Sequence, residues 1–166
     1  MKTNYFFITL ITLATFVNLH CGGGKDEDSD PCALTTCYNG GVCVDGDCEC
    51  PDWFEGANCS EQVRDKFLGS YSGMLTAESA FGYVEGPATI NFGRNVNGIQ
   101  LISIDNGWVY GQLTNTTGNF TIPPQQANGL SVSAGYGYFS GNQVYYTLGG
   151  TSTGGDTQIY TFSGSR

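Results

Sequence analysis

"LSVSAGYGYF", residues 130–139, alternates with a period of two. Leu130, Val132, Ala134, Tyr136 and Tyr138 fall on one side, and Ser131, Ser133, Gly135 and Gly137 on the other. Successive side chains of a strand point to opposite faces, so the pattern predicts a half-buried β-strand with both tyrosines on its apolar side. Runs of similar character recur at 67–76, 81–85, 87–93, 98–105, 108–114, 118–123, 129–139, 143–149 and 157–163, with Gly and Asn between them. Asn106 and Gly107 stand alone between two runs. Both tolerate the positive φ that a two-residue hairpin turn requires. Asn97-Gly98, Asn128-Gly129 and Ser140-Gly141-Asn142 punctuate the chain in the same way. Consecutive strands are therefore expected to pair as an antiparallel meander. About eight such strands would close or nearly close into a barrel, because closure removes exposed edges. The composition agrees with an all-β chain: 25 of 166 residues are Gly and 13% are aromatic, which suits twisted strands and tight turns.

Outward from this region the chain changes character. Between Asp26 and Glu61 there are ten carboxylates and no Lys or Arg, whereas residues 62–166 hold five acids and four bases. The acidity belongs to the front half, and the formal net charge of −9 argues against nucleic acid as a partner. Cysteine is also confined to the front, with six residues in the 28 from Cys32 to Cys59 and none in the 107 that follow. So short a segment cannot bury enough apolar surface to offset its chain entropy, and a disulfide framework is the expected substitute. The segment after residue 65 is long enough to build a core of its own. Six cysteines allow fifteen pairings, which spacing alone does not resolve.

The stretch "CYNGGVCVDGDCECPDWFEGANC", residues 37–59, resembles an epidermal growth factor-like domain. The likeness rests on the turn from Asn39 to Gly41, the step from Cys48 to Cys50, and the aromatic-x-Gly turn from Phe54 to Gly56. It implies the pairs Cys32 with Cys43, Cys37 with Cys48, and Cys50 with Cys59. Zinc is the rival use of such cysteines, but the only His, His20, lies in the expected leader, so no cofactor or metal is expected. "DSDPC" resembles the acidic run of calcium-binding members of that family. The loop "VDGD" lacks the aromatic of their ligand set, so Asp28 and Asp30 read as solvated tether charges.

At the start, residues 1–20 read as a signal peptide, with an apolar run from Tyr5 to Val17 too short to span a bilayer. Cys21 follows it, then a tether, residues 21–31, that contains "KDEDSD". This arrangement resembles a bacterial lipoprotein, although His20 stands where the family carries a small residue before the lipidated cysteine. The acidic run resembles the surface-export signal of lipoproteins in the Bacteroidota. The resemblance implies lipid on Cys21, a membrane partner through that lipid, and a place on the outer membrane or cell surface. "FLGSYSG" and the meander resemble calycin or lipocalin-like barrels. The whole chain resembles surface lipoproteins in which an epidermal growth factor-like module, here residues 32–61, precedes a small β domain, here residues 65–166.

Catalysis finds little support. The sole His is in the leader, and the cysteines are committed to bridges or lipid, which excludes Ser-His and Cys-His arrangements. Asp65, Glu78, Glu85, Asp105 and Asp156 all adjoin turn residues and read as surface charge. Aromatic residues are the better lead. Tyr136, Tyr138 and Tyr146 share parity with apolar neighbours and are expected in the core. Tyr145 is expected to face outward, as are Trp108 and Tyr110, which share a face with Gln112. Together the last three form the expected ligand-binding patch. The barrel interior is expected to be filled by side chains. The expected function is non-catalytic binding or adhesion, towards glycan or protein. A lipocalin-like small-ligand carrier and a passive structural module are the alternatives.

Overall fold

The computed structural model describes residues 30–166. The expected leader, the lipidation site Cys21 and most of the tether, Asp28 included, lie outside the described residues.

The front module is held by sulfur. Its disulfides are Cys32–Cys43, Cys37–Cys48 and Cys50–Cys59, with Cα separations of 5.8, 5.6 and 5.2 Å. These are the pairs that the resemblance implies. Strands β1 (Val42–Val44) and β2 (Asp47–Glu49) form a hairpin, and β3 (Phe54–Glu55) pairs with β4 (Glu61–Gln62). Between residues 30 and 62 only Cys59 is buried, so there is no apolar core to hold the module. Each bridge closes a loop of roughly ten residues and contributes about 2 to 3 kcal/mol by restricting the unfolded chain. Asp30 accepts a bond from the backbone N–H of Cys32 at 2.9 Å and so caps the first turn.

A 3₁₀ turn, Val63–Phe67, leads into the barrel and closes one end of it. Phe67 stacks on Phe139 with ring centroids 4.9 Å apart. Arg64 is buried, and its Nη1 donates to the carbonyls of Asn95, Gly98 and Leu101 at 2.8, 2.6 and 2.8 Å. A guanidinium so placed ties the loop between β6 and β7 to the 3₁₀ turn through charge-assisted bonds to its carbonyls.

The barrel strands are β5 (Gly69–Ser79), β6 (Gly82–Arg94), β7 (Leu101–Ile104), β8 (Val109–Leu113), β9 (Asn119–Ile122), β10 (Gln125–Ala127), β11 (Leu130–Ser140), β12 (Gln143–Ser152) and β13 (Thr157–Ser165). Except for β9 and β10, neighbours in sequence pair antiparallel, β13 pairs with β5, and a β9–β11 pairing closes the ring of eight. The ninth strand, β10, lies along the same edge of β11 at Leu130–Val132, while β9 takes Gly135–Tyr138. The two walls are unequal. Strands β11, β12, β13, β5 and β6 are long, whereas β7 to β10 have three to five residues each.

Three expectations are corrected here. The runs 81–85 and 87–93 form one strand, β6, and Pro87 does not break it. Pro87 lies in a stretch where β6 pairs only with β5, since β7 joins at Phe92, and a residue without an N–H is tolerated beside an open edge. The run 98–105 shortens to β7 because residues 98–101 form a turn, in which the Leu101 N–H donates to the Gly98 carbonyl at 3.2 Å. Third, Tyr136 and Tyr138 are not in the core. The register of β11 against β12 shifts between Val132 and Ala134, a bulge that adds one residue and reverses the facing of all that follow. Leu130 and Val132 point inward, then Gly137 and Phe139 do, and Tyr136 and Tyr138 are 60% and 47% exposed.

The interior is filled with rings. Phe92 lies 5.4 Å from Tyr71, 5.1 Å from Phe139, 6.3 Å from Phe120 and 6.2 Å from Tyr146, all at steep angles that favour edge-to-face contact. Phe162 and Ile102 are fully buried beside them.

Candidate functional site

The end of the barrel opposite the 3₁₀ turn is open, and a cleft of about 440 Å³ lies there. Its rim is the β7–β8 turn. Asp105, Asn106 and Gly107 have φ of 51°, 56° and 91°, and Trp108 N–H donates to the Asp105 carbonyl at 3.1 Å. This is the tight hairpin that Asn106-Gly107 predicts. Asp105 itself is a non-glycine residue in the left-handed region, a position that costs about 1 kcal/mol or more and is often kept where a side chain has work to do. Its backbone N–H is fixed by a 2.8 Å bond to the Asn91 carbonyl. The turn therefore presents Asp105 and Asn106 to the cleft on a rigid support.

The wall is aromatic. Trp108 and Tyr160 meet edge to face with centroids 5.7 Å apart, and the Tyr160 hydroxyl donates to Gln158. Leu75 and Ile90 add apolar surface, and Asn128, at φ 45° in the β10–β11 turn, adds an amide. Tyr146 forms the floor, with its ring packed on Phe162 at 5.7 Å. Burial, and after it the Asp105 carboxylate, push the Tyr146 hydroxyl well above the ordinary tyrosine range, so it stays a neutral donor. No Lys or Arg lines the cleft. The arrangement can stack an apolar ring face against Trp108 and Tyr160 while a carboxylate and two amides bond to hydroxyls. It excludes anions.

The three aromatic residues expected to form one patch are not brought together. Trp108 is half-buried in the cleft wall, because it packs on Tyr160 as the chain leaves the turn. Tyr110, half-buried, borders a separate hollow with Gln112 and Pro123, and its backbone N–H and carbonyl are both held by the Gln125 side chain at 2.9 and 2.8 Å. Tyr145 lies on the outer face of the long wall, where its ring stands 5.6 Å from that of Tyr138. Asp105, Asn128 and Tyr160 are site residues that the reading of the sequence missed. Asp105 reads from the sequence as ordinary turn charge, and its place directly before Asn106-Gly107 is the available signal.

No family model matches this chain, and no curated protein matches it. Among solved structures it is similar to a protein of unknown function from the DUF3598 family of Nostoc punctiforme, with 10% identity and a TM-score of 0.47, over 64% of this chain and 49% of that one. The chain thus spans about half the length of that protein.

Proposed function

We propose that this protein is a non-catalytic binding module held at the cell surface by lipid on Cys21, and that the open end of its barrel binds glycan. The observation that carries the reading is the union, in one cleft, of the Trp108–Tyr160 pair with Asp105 and Asn106 on a rigid turn. Neutral sugars offer apolar C–H faces and many hydroxyl donors, and they carry no charge that the carboxylate would repel. An interior packed with Phe92, Phe120, Phe139 and Tyr71 speaks against a lipocalin-like carrier, whose ligand would need that space.

One observation favours a protein ligand as the second reading. The outer face of the long wall exposes Tyr136, Tyr138, Met74 and Ile159 together, an apolar surface suited to an adhesive contact. A glycan array probed with the purified chain, and with Trp108→Ala and Asp105→Asn variants, separates the two. Binding to neutral glycans that falls about tenfold or more in both variants supports the cleft. Glycan binding that both variants retain in full, or no glycan binding at all, overturns it. Mass spectrometry of the chain from its membrane tests the anchor, which requires a lipid mass on Cys21.

A further inference from the structure

The cleft does not end at Tyr160. That residue also lines a second hollow of about 380 Å³, bordered by Ala77, Phe81 and Val84 on the β5–β6 hairpin. The register makes the two continuous. Tyr160 lies opposite Ala77, Ala77 lies opposite Val84, and Leu75, which borders the first hollow, is two residues from Ala77 on the same face of β5. From Leu75 to Ser79 this face runs for about 13 Å of strand. It has no opposing wall, because residues 82–90 of β6 pair only with β5 and β7 joins at Phe92. Hence Val84 is 71% exposed although it shares its face with Ala77, and Phe81 at the hairpin tip is 82% exposed. Large apolar side chains left open next to a polar cleft mark contact surface. The Asp105 carboxylate stands at the first hollow, and neither hollow is lined by Lys or Arg.

We infer that the two hollows form one groove and that its ligand is a neutral oligosaccharide, with one ring seated against Trp108 at the barrel mouth and the following rings laid along Tyr160, Val84 and Phe81. This rests on the reading of the mouth as a sugar site. An anionic chain is disfavoured by the Asp105 carboxylate at the mouth and finds no Lys or Arg along either hollow. An extended peptide would seek the open backbone edge of β6, but Pro87 removes a donor in the middle of that edge and Glu85 adds charge beside it.

The test uses the purified chain and neutral homologous sugar series, the gluco-, manno-, xylo- and chito-oligosaccharides from monomer to hexamer, titrated by calorimetry. The tip variant Phe81→Ser/Val84→Ser changes exposed residues alone and leaves the barrel core intact. In at least one series the affinity is expected to rise about fivefold or more with length. The tip variant is expected to lose that gain and to keep the monomer affinity. An affinity independent of length, or a tip variant that binds the longer sugars as the parent does, overturns the groove while the mouth site stands. If no sugar of any length binds, the mouth reading falls and the groove with it. Binding of extended peptides in place of sugars, abolished by the tip variant, assigns the hairpin to protein and overturns the inference.

Discussion

Tyr146 joins core and cleft in one side chain, with its ring against Phe92 and Phe162 and its hydroxyl on the cleft floor near Asp105. Burial and the Asp105 charge both disfavour the phenolate, so its pKa in the folded chain lies above the ordinary value near 10.0. Tyr71 is shifted in the same direction by burial, with Arg166 opposing. For a group whose folded pKa is raised, the stabilisation is complete below the unfolded pKa and is lost as pH rises through the folded one. Barrel stability should therefore fall from about pH 10 upward. The variant Tyr146→Phe should show a shallower fall between about pH 10 and pH 12, read from melting temperatures at a series of pH values. Equal slopes in parent and variant would remove Tyr146 from the account. At this scale the sequence is only partly legible. Asn106-Gly107 announces its turn, because few residues accept positive φ. Nothing local announces that Trp108 turns inward, since its partner Tyr160 is 52 positions away and parity along one strand cannot register it.

Among the elements, β11 decides what faces the solvent. Strict alternation over residues 130–139 places Tyr136 and Tyr138 inside, and the bulge after Val132 places them outside. A clue lay in parity: Leu130 and Val132 occupy even positions and Phe139 an odd one, so all three can be buried only if the strand slips by a residue between them. The glycines that then face inward have a steric role. A Cβ on Gly137 would come within 2.3 Å of the Phe120 ring and 2.6 Å of the Tyr146 Cβ. Gly137→Ala should destabilise the barrel by about 2 to 3 kcal/mol through overpacking, measured by chemical denaturation. A cost below about 0.5 kcal/mol would show that the strand does not hold this register. The strands themselves, the two-residue turns and the closure follow from alternation and from Asn-Gly pairs. The short β10 does not, because a three-residue strand after two prolines has no period to read.

The molecule as a whole divides its sources of stability. Residues 32–61 depend on three disulfides, and the barrel depends on a core of rings. Contact between the parts is modest: Trp53 packs on the barrel core, and Lys66 meets Glu55 at 2.8 Å in an exposed ion pair of small energetic weight. Reduction should unfold the front module and leave the barrel with a cooperative thermal transition, lowered by about 5 °C for the lost Trp53 contact. Loss of both parts in one step on reduction would contradict that division. This much is legible from cysteine placement and chain length, whereas the site is not, because it is assembled from β5, β6, β12, β13 and the β7–β8 and β10–β11 turns only on closure. The central claim is that the open barrel end is where ligand sits, and amide shift mapping of the isotope-labelled chain during titration with an array-identified glycan tests it most directly. The account predicts saturable shifts at residues 105–108, 128 and 160, extending to 77–84 with longer sugars. Shifts confined to the outer-face tyrosines 136, 138 and 145, with the barrel mouth silent, would contradict it.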